Sequence, residues 1–319
     1  MSNMNTTTQQ TFSVGPSINE RWFSSACNAG KLDIAKQLLE KYPTINISLN
    51  NEEPFRFACM SGHFNVAKWL VEIKPDINVS ALEEHAFRLC CVWKYLDIAK
   101  WLLEIKPDID VSAMDDTSFD YVCQYGYLDF IKLILEHKPD IILSDKYRYC
   151  FRRACLNGKL DVAKFFYELN PNLNISEYNE FVFRTACQNG NIELAKWVYE
   201  IKPSINISIE NEYFFRIACR TKRLNIAKWL LKIKPDINVS AKNNDAIRYA
   251  CTHGHLDIAK WLLEIKPDID IYVDGDDLFK NACFSGHSAI AKWLQSLNHE
   301  RYILECDNFG IISYKVNLM

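Results

Sequence analysis

Apolar and polar positions along this chain repeat with a period of 32 residues, and each period holds two different patterns. In the stretch from Asn50 to Ala81, Phe55, Ala58 and Cys59 recur at helical spacing, which predicts a first helix over Pro54 to Met60. Ser61-Gly62 is a turn signal. Phe64, Val66, Ala67, Trp69, Leu70 and Ile73 then form a broad apolar stripe and predict a second helix over Phe64 to Ile73. Lys74-Pro75 ends it, because proline disfavours helical backbone in the residue before it. Asp76 to Leu82 alternates apolar and polar residues and predicts an extended finger leading into the next period.

The period holds over nearly the whole chain. Cysteine marks one register in Cys27, Cys59, Cys91, Cys123, Cys155, Cys187, Cys219, Cys251 and Cys283. The segment LDIAKWLLEIKPDID, Leu96 to Asp110, returns letter for letter at Leu256 to Asp270. Such self-similarity is the signature of a repeat array, in which each unit buries its apolar face against its neighbours. The expected fold is an all-α solenoid of about nine 32-residue helix-turn-helix-finger units. Residues 1–17, rich in Thr, Gln, Ser and Asn, are expected to form a disordered tail, residues 18–298 the array, and residues 299–319 a C-terminal capping tail.

Ala58-Cys59-Met60-Ser61-Gly62-His63-Phe64-Asn65-Val66-Ala67-Lys68-Trp69-Leu70, followed by Pro75-Asp76-Ile77-Asn78, resembles the ankyrin repeat. The departures are an apolar residue followed by Arg, as in Phe55-Arg56 and Phe183-Arg184, where the family has Thr-Pro-Leu-His, and Lys74 or Lys106 in place of a glycine. Near-identical units carrying KPDIN resemble the ankyrin arrays encoded in multiple copies by giant DNA viruses of amoebae. The resemblance implies a non-catalytic protein–protein interaction scaffold that engages a partner on a concave face. An alternative it implies is an adaptor recruiting substrates to a host ubiquitin ligase through an F-box-like appendage, for which residues 299–319 are short. It also implies an intracellular site, the host cytoplasm if the chain is viral.

Composition narrows the function classes. The net charge of −3 gives no strong pull toward nucleic acid or anionic lipid. MSNMNTTTQQ has no basic start or apolar core of a signal peptide, and no apolar run reaches membrane-spanning length. A monomer that binds a protein, with no nucleic acid, membrane, metal or cofactor, is expected. The sequence holds no phosphate loop, nucleophile elbow or paired catalytic carboxylates, so no enzyme is expected. The nine in-register cysteines are expected to be buried and reduced, since stacked helices lie too far apart for bridging. A reactive thiol is sought among Cys90, Cys150 and Cys306, outside that register. Cys251-x-His253-x-His255 lacks a fourth ligand at suitable spacing for zinc.

Several periodic ladders read as scaffold. Trp69, Trp101, Trp197, Trp229, Trp261 and Trp293 are expected to pack between repeats. The lysine ladder is expected to pair with acids three before and four after, as in Asp97, Lys100 and Glu104. Arg56, Arg88, Arg184 and Arg216 are expected to pair with the acid four residues earlier. Asp116 and Asp120 face a basic pair, Arg148 and Arg152, one period on, and an Asp120–Arg152 contact is expected there. Function is sought where the pattern breaks. Trp93, Tyr95, Tyr125 and Tyr127 cluster around the inter-helix turns of the third and fourth units, and Tyr147 and Tyr149 follow in the next finger. These six form the candidate partner-binding site, aromatics being enriched in binding hot spots. The competing reading is local repacking around Lys94, which replaces a turn glycine.

Overall fold

The computed structural model describes residues 16–111, 113–143, 145–175, 177–306 and 312–317. Helices α1 (Ile18–Asn28), α2 (Leu32–Lys41), α3 (Leu49–Met60), α4 (Phe64–Ile73), α5 (Ala81–Trp93), α6 (Leu96–Ile105), α7 (Ala113–Tyr125) and α8 (Leu128–His137) open the chain. After a short 3-10 turn at Pro139–Leu143 come α9 (Asp145–Leu156), α10 (Leu160–Leu169), α11 (Glu177–Asn189), α12 (Ile192–Ile201) and α13 (Ile209–Arg220). Then follow α14 (Leu224–Ile233), α15 (Ala241–Thr252), α16 (Leu256–Ile265), α17 (Val273–Phe284) and α18 (Ser288–Leu297). The fold is all-α, with one strand pair among the described residues, β1 (Tyr302–Cys306) and β2 (Ile312–Val316). It forms two compact units, residues 1–153 and 154–319, with the boundary inside α9.

In each unit the core is built from repeated registers. The second helix of each repeat buries the apolar stripe read from sequence, as in Val66, Ala67 and Leu70 of α4 and Ile258, Ala259 and Leu262 of α16. A phenylalanine register on the first helices, including Phe23, Phe55, Phe87, Phe183 and Phe215, is fully buried. The tryptophans lie against it from the following repeat: Trp69 lies 6.2 Å from Phe23 in unit 1, and Trp229 lies 6.0 Å from Phe183 in unit 2. Neighbouring repeats are held by these aromatic contacts and the burial behind them.

The finger is a compact turn, not an extended segment. Ile77 donates to the Lys74 carbonyl, Ala81 to that of Asn78, and the Asn78 side chain accepts from Ser80. Ile77 and Val79 are thereby tucked into the core. The alternation therefore reflects two inward side chains in a folded loop. Lys74 pairs with Asp76 at 3.0 Å, and Lys106, Lys234 and Lys266 pair likewise with the aspartate two residues on. The ladder lysines expected to pair along the helix show that arrangement at Lys196 and Glu193, 2.8 Å apart.

The arginine register has a different job from the one expected. Asn50, Asn51 and Glu52 all take positive φ, as do residues 82–84, 210–212 and 242–244, so each of these first helices is entered through a left-handed turn. That backbone costs about 1–2 kcal/mol per residue for side chains other than glycine. Arg56 offsets part of the cost by clamping the turn, donating to the carbonyls of Asn51 (2.6 Å) and Asn50 (2.9 Å). Arg88 and Arg216 repeat this fork on Glu83 and Leu82, and on Asn211 and Glu210. The acid four residues earlier is bonded elsewhere: Glu52 accepts from the Asn78 backbone at 3.3 Å and Glu84 from Asp110 at 3.4 Å. Each thus holds the finger that follows.

The end of unit 2 modifies this motif. Asp276 stands at the register of Glu52, is fully buried and has φ 72°. Arg301 grips both its oxygens (2.8 and 2.9 Å), and the Tyr302 hydroxyl donates to it at 2.8 Å. Burial pushes the Asp276 carboxyl up, but Arg301 and Tyr302 outweigh that and hold it below the ordinary carboxylate value. Tyr302 stacks on Phe279 with ring centroids 4.1 Å apart, and β1 pairs antiparallel with β2. At the start of unit 1, Ser17 and Glu20 form a capping box on α1. Residues 1–15 of the expected disordered tail lie outside the described residues.

Candidate interaction surface

The inter-helix turns at Gly30, Gly62, Gly158, Gly190 and Gly254 each take a side chain from the next repeat over the positive-φ glycine, whereas nothing lies over Gly286. Gly62 has φ +76°, and a Cβ there would fall 2.4 Å from the Tyr95 ring. Gly30 and His63 stand in the same relation, and so do Gly254 and His287. His287 Nε2 also donates to the Thr252 carbonyl at 2.9 Å, and His255 Nε2 to that of Arg220 at 3.1 Å. Tyr95 is therefore committed to packing on its neighbour, at a register where other repeats use histidine.

The next turn lacks glycine. Lys94 holds φ 68° itself, and its ammonium lies 4.3 Å over the Tyr127 ring. Tyr127 in turn lies 6.0 Å from Tyr125 and 6.1 Å from Tyr121, while Tyr121 and Tyr125 are 4.4 Å apart. Three tyrosines from α7 and the α7–α8 turn thus form one ring cluster. Burial, followed by the neighbouring Tyr127 and Tyr125, raises the Tyr121 phenol above its ordinary value. Tyr125 keeps 44% of its surface exposed and Trp93, at the equivalent position of α5, keeps 58%. Small or polar residues stand there elsewhere: Ser61, Asn157, Asn189, Thr221, His253 and Ser285.

Two expected site residues separate. Tyr149 is 46% exposed on α9, with the Arg153 guanidinium 5.9 Å from its ring. Tyr147 is 1% exposed and leaves the candidate surface; the segment placed in a finger by its sequence is helical, and turns this ring into the core. Arg153 also donates to Asp120 at 3.3 Å and to the Gln124 side chain. The charge pairing expected from Arg152 is thus made to Asp120 by the next residue, and the Asp116 side chain lies outside the described residues. Sequence reading missed Tyr121, although its spacing of four from Tyr125 on a helix was visible.

The chemistry-bearing alternatives resolve into packing. Cys90 and Cys150, among the three places where a reactive thiol is sought, are buried at 0% and 2% exposure. Burial raises the Cys90 thiol well above its ordinary value and the Cys27 and Cys251 thiols to about 12. The side chain of Cys306 lies outside the described residues. Cys251 is buried while the His253 and His255 rings lie 6.1 Å apart outside it, and among the described residues no cluster of His, Cys, Asp or Glu could hold a metal ion. Among the described residues no helix is long and apolar enough to cross a membrane.

A family model described as ankyrin repeats, in three copies, matches residues 23–115, 183–273 and 215–305, more than half of the chain. Among solved structures, the human ASB11 ankyrin repeat domain is similar at 18% identity and a TM-score of 0.49, over 66% of this chain and 96% of that one. No curated protein matches the chain. On the family match, which falls on the helix-turn-helix registers described above, the chain belongs to the ankyrin repeat family.

Proposed function

We propose that this protein is a non-catalytic scaffold that binds a protein partner through the aromatic surface of its third and fourth repeats. One observation carries the reading. Trp93 and Tyr125 are large, rigid and exposed at a register held elsewhere by small or polar residues, and Tyr125 stands on the Tyr121–Tyr127 cluster. A ring held by its neighbours loses little conformational freedom on binding, and aromatic anchors of this kind dominate interface energies. Lys94, Arg153 and Tyr149 at the rim add polar groups to fix orientation. Ankyrin repeats bind proteins in general, which supports the same class.

Site-specific photo-crosslinking tests it. A photo-reactive phenylalanine analogue placed at Tyr125 should trap a protein adduct in lysate, whereas the same group at Ser285, the equivalent position of the last repeat, should not. Identical adducts from both positions would remove the aromatic surface from the reading.

A further inference from the structure

Unit 2 carries an open groove of about 430 Å³ between α13 and α15, lined by Tyr213, Arg216, Arg220, Lys242, Asp245 and Tyr249 among others. Its charges do not cancel. Asp245 accepts from Arg216, and Glu210, the other wall carboxylate, accepts from Arg184 at 3.4 Å. Arg220 and Lys242 are exposed, and among the described residues neither has an acid partner. Two uncompensated cations therefore share one groove whose carboxylates are already taken.

The arginines are also pre-positioned. The Arg220 guanidinium lies 4.4 Å over the Tyr249 ring, and that of Arg184 lies 4.4 Å over Tyr213. Stacking uses the face of the guanidinium and leaves its planar N–H edge for a bidentate acceptor. It also reduces the entropy lost when a long side chain is held in place.

We infer that this groove docks an acidic peptide segment of a protein partner, with one Asp or Glu carboxylate held by the N–H edge of Arg220 and a second met by Lys242. Tyr213 and Tyr249 line the groove beneath the arginines and hold them in place for the peptide. A polyphosphate backbone fits less well, because Glu210 and Asp245 would repel a continuous line of charge, whereas spaced carboxylates meet only the two cations. The site extends the scaffold reading to a different surface and does not depend on the aromatic cluster of unit 1.

Fluorescence anisotropy of the full chain with a labelled peptide of alternating Glu and Gly is the test, with Gln–Gly and phosphoserine–Gly peptides as comparators. The Glu peptide should bind and the Gln peptide should not, with affinity falling as ionic strength rises. Arg220→Ala and Lys242→Ala should each weaken binding about tenfold, with helical circular dichroism unchanged because both side chains are exposed. Tyr125→Ala should leave this binding unchanged, which separates it from the aromatic surface. Failure of the Glu peptide to bind, or binding that survives both substitutions, overturns the inference. Binding of the phosphoserine peptide alone overturns it too, and makes the groove a phosphate reader.

Discussion

Tyr121 and Tyr249 occupy the same register four repeats apart, yet one sits among tyrosines and the other beneath an arginine. In unit 1 the neighbours of Tyr121 are Tyr125 and Tyr127, and the surface is neutral and aromatic. In unit 2 the ring of Tyr249 is covered by Arg220 and flanked by His253 at 5.6 Å. The residue at the Arg220 register in the third repeat is Val92. A single register therefore decides whether the surface reads as apolar or cationic. The spacing is general: partners across neighbouring first helices lie 29 residues apart, as in Arg56 and His85, Gln124 and Arg153, and Arg216 and Asp245. That is one repeat less about one helical turn, so the side neighbour of any exposed position can be found by counting.

The comparison is sharpened first at the arginine clamp. Arg216 is buried and holds two turn carbonyls and Asp245, so Arg216→Ala should cost about 3 kcal/mol in chemical denaturation, chiefly from the acceptors left unpaired. Arg88, more exposed and bonded to two carbonyls, should cost about 1 kcal/mol. Equal losses would mean that burial and the bond to Asp245 add nothing to the clamp. Gly62→Ala comes next, at about 2 kcal/mol, because the added methyl meets Tyr95 at a positive φ. A loss no larger than that of an ordinary surface substitution would show that Tyr95 is not seated there.

Acid titration of Asp276 should give a smaller effect, at the end of unit 2. The folded Asp276 carboxyl lies below its ordinary value of 3.8, so its contribution is complete above that value and is lost as pH falls through the folded one. Protection factors of the Tyr302–Cys306 amides, taken against the intrinsic rate at each pH, should therefore fall in acid. In Asp276→Asn that acid step should vanish; an unchanged step would assign it to another carboxylate. Smallest is Lys94→Gly. Relief of the left-handed backbone, worth up to about 1 kcal/mol, is set against loss of the cation over Tyr127, leaving a thermal midpoint close to that of the parent. A fall of several degrees would make the Lys94–Tyr127 contact a larger part of the fold than its exposure suggests.

Much of the fold was legible because the period of 32 fixes which residues are equivalent. The second helices, the buried cysteines and the tryptophan packing follow from apolar spacing alone. What spacing hid was backbone. Nothing in Leu82-Glu83-Glu84 announces three left-handed residues, so Arg88 reads as the partner of Glu84 when it is bonded to the two carbonyls before it. Tyr147 was misplaced for a related reason: by the register of Pro54–Met60 the first helix starts after Tyr149, whereas it starts at Asp145 and turns Tyr147 inward. The aromatic surface was visible as a break in the pattern, but not the ring contacts through which Tyr121 joins it.

The central claim is that the repeated registers hold the fold and the departures from them bind. The direct measurement is quantitative capture of partner proteins by the full chain and by the double variant Trp93→Ser, Tyr125→Ser, which returns both positions to the residue found at Ser61 and Ser285. The account predicts that captured proteins fall about tenfold or more while stability changes by less than about 0.5 kcal/mol per site. An unchanged set of captured proteins from a folded variant would contradict it.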